Sequence, residues 1–226
     1  MIYLKQLKKQ YGPKVLLSGV DFHIRPGEKV GLVGDNGMGK TTLFRIIQGK
    51  ESSDSGEVSF RKGAIVGMLD QHFDVGVETA LERTVMGDPY FAKIQTDKER
   101  LENDQTAHQK DPQKWEKDYG HLVSEFERLG GYERESKAKA ILSGLGFKED
   151  GWNKPLNQLS GGWAMRVELA LLLLQNPDVL LLDEPSNHLD LRSVIWLENF
   201  LKNYEGSIVL ISHDRRFLNG IVTRIV

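Results

Sequence analysis

The chain has no cysteine among its 226 residues, which excludes disulfides, thiol nucleophiles and cysteine-ligated metals. It also lacks any apolar run near the ~20 residues that cross a bilayer. The longest, Leu169 to Leu174, suits a buried helix. Excess charge is missing too: with a net charge of −2 and a pI near 6.3, any RNA contact needs a local patch. The opening Met1-Ile2-Tyr3-Leu4-Lys5 lacks the charged-then-apolar order of a secretion signal and alternates like a strand, so a cytoplasmic protein with no membrane partner is expected. His23, His72, His108, His121 and His188 form no metal-ligand spacing. No solenoid repeat is visible. What is present, 39% hydrophobic and 27% charged residues, fits a globular chain long enough to bury a sizeable core.

Three zones follow from the punctuation. Residues 1–77 are strand-rich, with strands expected at Ile2–Leu7, Val20–Ile24, Val30–Val33, Glu57–Phe60 and Ile65–Leu69 between Gly- and Pro-containing turns. Residues 151–226 alternate helix and strand: a helix over Gly161–Leu174, strand Val179–Leu182, helix Leu191–Asn203 and strand Ser207–Ile211. That order implies a parallel sheet with crossover helices. Residues 78–150 are charged and mostly helical. There Trp115, Tyr119, Leu122, Phe126 and Leu129 recur at spacings of four and three, an apolar seam whose expected partner is Phe91, Ile94 and Leu101. Asp111-Pro112 reads as an N-cap followed by proline at the first helical position, so the chain is expected to return there as a hairpin. Packing within a subdomain and a projecting arm both fit that pattern.

Gly34-Asp35-Asn36-Gly37-Met38-Gly39-Lys40-Thr41, followed by Thr42, fits the phosphate-binding pattern G-x-x-x-x-G-K-[ST] at a strand-to-helix turn. Glycines let backbone N–H groups close around phosphate oxygens, and the helix that follows offers its unpaired donors to the same anion. Lys40 suits the β- and γ-phosphates and Thr41 a Mg²⁺ ion. Asp183 and Glu184 end the apolar run Val179–Leu182. In phosphoryl transfer one carboxylate at such a place serves the metal, here Asp183, and a separate one, Glu184, serves the attacking water. Leu159-Ser160-Gly161-Gly162-Trp163 stands before a helix and reads as a further anion-binding N-terminus.

Taken together these motifs resemble the ATP-binding cassette family, an α/β phosphate-loop NTPase fold with a mixed sheet core and a helical subdomain, here with a hairpin insertion. The resemblance implies ATP and Mg²⁺ as cofactors and ATP hydrolysis as the reaction. It implies that Ser160, Gly161 and Gly162 complete the ATP site of a second cassette, and that Tyr11 stacks on adenine. It further implies that Gln71 senses metal and γ-phosphate, and that His213 contacts the γ-phosphate. Ser186-Asn187-His188-Leu189-Asp190, the Gly-Gly-Trp ending and Ser212-His213-Asp214-Arg215-Arg216-Phe217-Leu218 are similar to the ABC-F branch, which acts on the ribosome. From Gln71 to Leu159 is 88 positions, and the excess length falls at the hairpin. For that branch the resemblance implies contact with rRNA and tRNA through the arm and an interdomain linker absent from this sequence. This chain would then be the first cassette of a tandem protein. The alternatives are the nucleotide-binding subunit of a transporter and a regulatory cassette without hydrolysis. Ser186 and Ala164 depart from the residues usual at their positions.

Overall fold

The structure, a computed structural model, describes residues 2–69 and 76–226, apart from the side chains of 105 and 107. The strand-rich beginning gives β1 (Ile2–Tyr11), β2 (Lys14–Ile24), β3 (Lys29–Gly31), α1 (Lys40–Ile47), β4 (Ser55–Phe60) and β5 (Val66–Met68). The middle is helical: α2 (Ala80–Met86), α3 (Pro89–Asn103), α4 (Gln105–Lys110), α5 (Pro112–Arg128), α6 (Gly131–Gly144), α7 (Glu149–Trp152) and α8 (Gly161–Gln175). The end alternates: β6 (Val179–Asp183), α9 (Leu191–Lys202), β7 (Ser207–Ile211), α10 (Arg215–Ile221) and β8 (Arg224–Ile225).

The chain divides into two compact units, Met1–Phe73 with Asn176–Val226, and Asp74–Gln175. The helical unit therefore runs beyond the expected 78–150 and includes α8. The physical reason lies in side chains that tie α8 to α2. Arg83 donates to both carboxylate oxygens of Glu168 at 2.7 and 3.1 Å. Gly87 ends α2 so close to α8 that a β-carbon there would lie 2.6 Å from Leu171 Cδ2.

In the first unit, β5, β6, β7, β3 and β8 pair in that order as a parallel sheet, and β2, β1 and β4 form an antiparallel one. Every residue of β6 and β7 is buried, as a central parallel strand requires. One core cluster joins the sheets: Ile2, Leu4, Leu7, Phe22 and Ile24 from the antiparallel side, Leu43, Phe44 and Ile47 from α1, and Val179, Leu181, Val209 and Ile211 from the parallel side. This fixes α1, and with it the loop before it, at the ends of β3 and β6.

In the helical unit the hairpin forms as expected. Asp111 caps α5 through the N–H of Lys114 at 3.1 Å, with Pro112 at the first helical position. Trp115 near the start of α5 donates its indole N–H to the Leu101 carbonyl, 3.1 Å away near the end of α3. Phe126 near the end of α5 stacks on Phe91 at 5.7 Å near the start of α3, so the two helices run antiparallel. Residues 108–114 at the turn are exposed. Among the described residues no helix is long and apolar enough to cross a membrane.

Candidate functional site

The glycine-rich loop connects β3 to α1. Gly37 and Gly39 take left-handed φ values of 77° and 90°, where a β-carbon clashes with the backbone. At Gly39 a β-carbon would also lie 3.2 Å from that of Leu16 on β2. Gly39 is the N-cap of α1 and brings no capping side chain, so the first-turn N–H groups remain available to an anion. Lys40 folds back on the loop, donating to the carbonyls of Gly34 at 2.6 Å and Asp35 at 2.9 Å. Its ammonium is thereby held at the loop rather than spread over solvent.

Thr41 Oγ1 donates to Asp183 Oδ2 at 2.6 Å. Asp183 is the last, buried residue of β6. Glu184 follows with φ of 50°, an uncommon conformation for a residue with a β-carbon, and its N–H donates to the Ile211 carbonyl on β7 at 2.9 Å. Strain of this kind persists only where the surroundings over-determine it. The Glu184 Oε1 atom is buried and unpartnered by any hydrogen bond among the described residues. Burial raises its pKa above the ordinary carboxylate range, and His213, with Nε2 3.7 Å away, opposes that shift. The same Nε2 lies 2.9 Å from Asn36 Oδ1. In the tautomer with the proton on Nε2, the ring donates to that amide oxygen. His213 thus links the phosphate loop to the strand-end carboxylate.

Tyr11 stands at the mouth of this cleft. Its hydroxyl donates to Glu51, and Lys9 Nζ sits 5.2 Å from its ring centroid and 3.3 Å from Glu51. The cleft, about 360 Å³, brings together Tyr11, Asn36, Gly37, Gly39, Lys40, Thr41, Thr42, Asp183, Glu184 and His213, all expected from the sequence. It adds Lys14, Leu16 and Ile211, which were not. Their signal lay in the hairpin: Tyr11 pairs with Lys14 across the Gly12-Pro13 turn, and period two puts Lys14 and Leu16 on one face. Of the other expected residues, Gly34 and Asp35 act through their carbonyls and Met38 is 60% exposed. Ser160 and Gly161 precede and open α8 in the helical unit, exposed, with Gly162 half-buried beside them. Gln71 lies outside the described residues.

The donor set bears on the metal. Among the described residues no three His, Asp or Glu side chains gather to cage an ion. Instead one hydroxyl and one carboxylate stand together, Thr41 and Asp183. Mg²⁺ keeps several waters and takes one or two protein oxygens beside substrate phosphates, so this pair fits it.

A strand, a glycine-rich loop closing on a helix, and carboxylates at the end of β6, one strand removed from β3 in the same parallel sheet, define a phosphate-loop nucleotide-binding domain. Residues 17–187 match the family described as ABC transporter, and the chain belongs to that family. It is similar to the "Probable ATP-binding protein YheS" of Escherichia coli (strain K12), 37% identical over 230 residues that cover all of this chain and 34% of that protein. It is likewise similar to "ABC transporter F family member 2" of Arabidopsis thaliana, 39% identical over 233 residues, again all of this chain and 34% of that one. The expected branch is met in that relative. The chain thus spans about a third, 34%, of the length of these relatives. Among solved structures it resembles the dimeric ATP-binding cassette MJ0796 in a post-hydrolysis state bound to ADP and Pi. The TM-score is 0.67 at 23% identity, covering 97% of this chain and 91% of that one, a likeness of fold.

Proposed function

We propose that this chain is an ATP-hydrolysing cassette of ABC-F type whose nucleotide cycle times a ribosome-bound state. The observation that carries the reading is the junction of Thr41, Asp183 and Glu184: a metal-suited pair 2.6 Å apart beside a carboxylate oxygen that nothing else satisfies. In this reading the loop N–H groups and Lys40 hold the phosphates, and Tyr11 offers its ring to adenine. Thr41 and Asp183 would hold Mg²⁺, which supplies charge neutralisation at the phosphates when bound. Glu184, half-buried and raised in pKa, accepts a proton from the attacking water. His213, protonated on Nε2 and already joined to Asn36, offers that N–H to the terminal phosphate.

A second cassette enters because Ser160, Gly161 and Gly162 belong to a divided site in the family the chain resembles. The relatives extend well beyond the matched segment, which leaves room for one. The arm, α3 to α5, with Lys110, Lys114 and Lys117 exposed at and near its turn, is the surface offered to rRNA and tRNA phosphates. Glu184→Gln tests the reading, because it keeps shape and removes the proton acceptor. MgATP should still bind to the variant while phosphate release falls at least a hundredfold, and the full-length parent carrying it should co-sediment with ribosomes in ATP. Wild-type turnover would contradict the role of Glu184. A trapped ATP state that follows membranes instead of ribosomes would favour a transporter subunit.

A further inference from the structure

Lys14 lines the cleft beside Lys40, yet no part of the phosphate-loop pattern includes it. It starts β2, directly after the Gly12-Pro13 turn and opposite Tyr11. Its ammonium lies against the loop: a β-carbon built on Gly37 would be 3.4 Å from Lys14 Nζ. Gly37, held at φ 77°, lines the same cleft. Among the described residues the Lys14 side chain has no hydrogen bond and no ion pair, unlike Lys9, which is tied to Glu51, Asp54 and the Ser52 carbonyl. A lysine on a hairpin is ordinarily a solvated surface charge. One whose Nζ rests on a phosphate loop, in the same cleft as Lys40 and Thr41, is placed to do more.

Charge balance sharpens the point. The lining residues include two lysines, Lys14 and Lys40, against two carboxylates, Asp183 and Glu184. Lys14 doubles the lysine charge available to an entering polyanion. Lys40, held at the loop by two carbonyls, carries a single positive charge, less than a triphosphate's. We propose that Lys14 is a second cation of the nucleotide site, a residue that binds the phosphate chain from the β2 side of the loop and so favours polyphosphate over less charged nucleotides. This rests on the nucleotide-binding reading above and adds a residue to it.

The test is MgATP affinity by calorimetry on the 226-residue chain for wild type, Lys14→Met, Lys14→Arg and Lys40→Ala, each at 50 mM and 500 mM salt, with melting curves to check folding. Lys14→Met keeps length without charge and should weaken binding roughly tenfold at low salt, the worth of one charge-assisted contact. The loss should shrink at high salt, because a partly exposed cation is screened, and Lys14→Arg should stay near wild type. Lys14→Met binding as tightly as wild type while Lys40→Ala loses affinity would overturn the inference and leave the nucleotide site standing. A loss that ignores salt, or one that Lys14→Arg shares, would also overturn it, since charge would not be the cause. Wild type that fails to bind MgATP, or Lys40→Ala that binds it unchanged, would remove the nucleotide reading itself.

Discussion

Partial burial makes Glu184 costly to ionise, against the opposing pull of His213. Its folded pKa is raised above the ordinary value of 4.5, first by desolvation. Folding therefore favours the neutral acid. Its contribution to stability is complete below 4.5 and is lost as pH rises through the raised folded value. Glu184→Gln has the same shape and no charge, so it should melt above wild type at neutral pH, with the difference closing in acid. A melting series against pH reads this directly, and equal melting temperatures at pH 7 would count against burial as the cause. The same shift puts the acidic limb of phosphate release above the ordinary carboxylate range. The loop and the strand-end carboxylates were readable because their chemistry is carried by consecutive residues. The direct contacts that complete the site are stated by no local pattern: Thr41 and Asp183, both expected at the metal, are 142 positions apart, and Asn36 and His213 are 177 apart. Only the strand order β6-β7-β3, with β7 between the other two, brings them into reach. Lys14 escaped notice for a related reason, since nothing in a hairpin lysine announces which loop it will lie against.

At the scale of elements, the α3–α5 pair rests on few large side chains. Phe91, Ile94 and Phe126 form its buried cluster, with Val85, Leu122 and Leu129 packed against them. Gly131 approaches so closely that a β-carbon there would lie 2.3 Å from the Phe126 ring. Phe126→Ala should destabilise the helical unit by about 3 kcal/mol, as large-to-small core changes do, measured by urea unfolding. A change below about 1 kcal/mol would mean that the aromatic seam is not what joins the helices. By contrast, replacing residues 104–112 by a short Gly-Ser turn removes mainly exposed polar surface. It should leave folding and MgATP affinity intact, and loss of affinity would assign the segment to the core. A pH effect belongs to this pair as well. Tyr90 on α3 donates to Glu125 on α5 at 2.6 Å, and Arg128 with Tyr90 holds that carboxyl down at about 2. The tie is complete above 4.5 and is lost only as pH falls toward about 2. The seam was legible because its spacing is helical. The short, polar α4 has no apolar periodicity to reveal it. β1 runs on to Tyr11, past the expected Leu7, because irregular register and a positive φ at Gln6 break the alternation that marks a strand.

At the scale of the molecule, the parallel sheet was foreshadowed by alternating helices and apolar strands, whereas in the antiparallel β2-β1-β4 sheet the pairing of β1 with the distant β4 is stated by no local pattern. The division into units depends on which helices α8 packs against, and so on tertiary contacts such as Arg83 with Glu168. Function at this scale turns on whether one copy of the cleft is sufficient. Ser160, Gly161 and Gly162 are proposed to serve another copy's nucleotide, so hydrolysis by this chain should be a property of pairs. The most direct test is MgATP turnover per chain, measured by phosphate release from nanomolar to high micromolar protein. The proposed divided site predicts slow release at the dilute end and turnover per chain that rises with concentration. Fast turnover independent of concentration, or no phosphate release anywhere in that range, would contradict it.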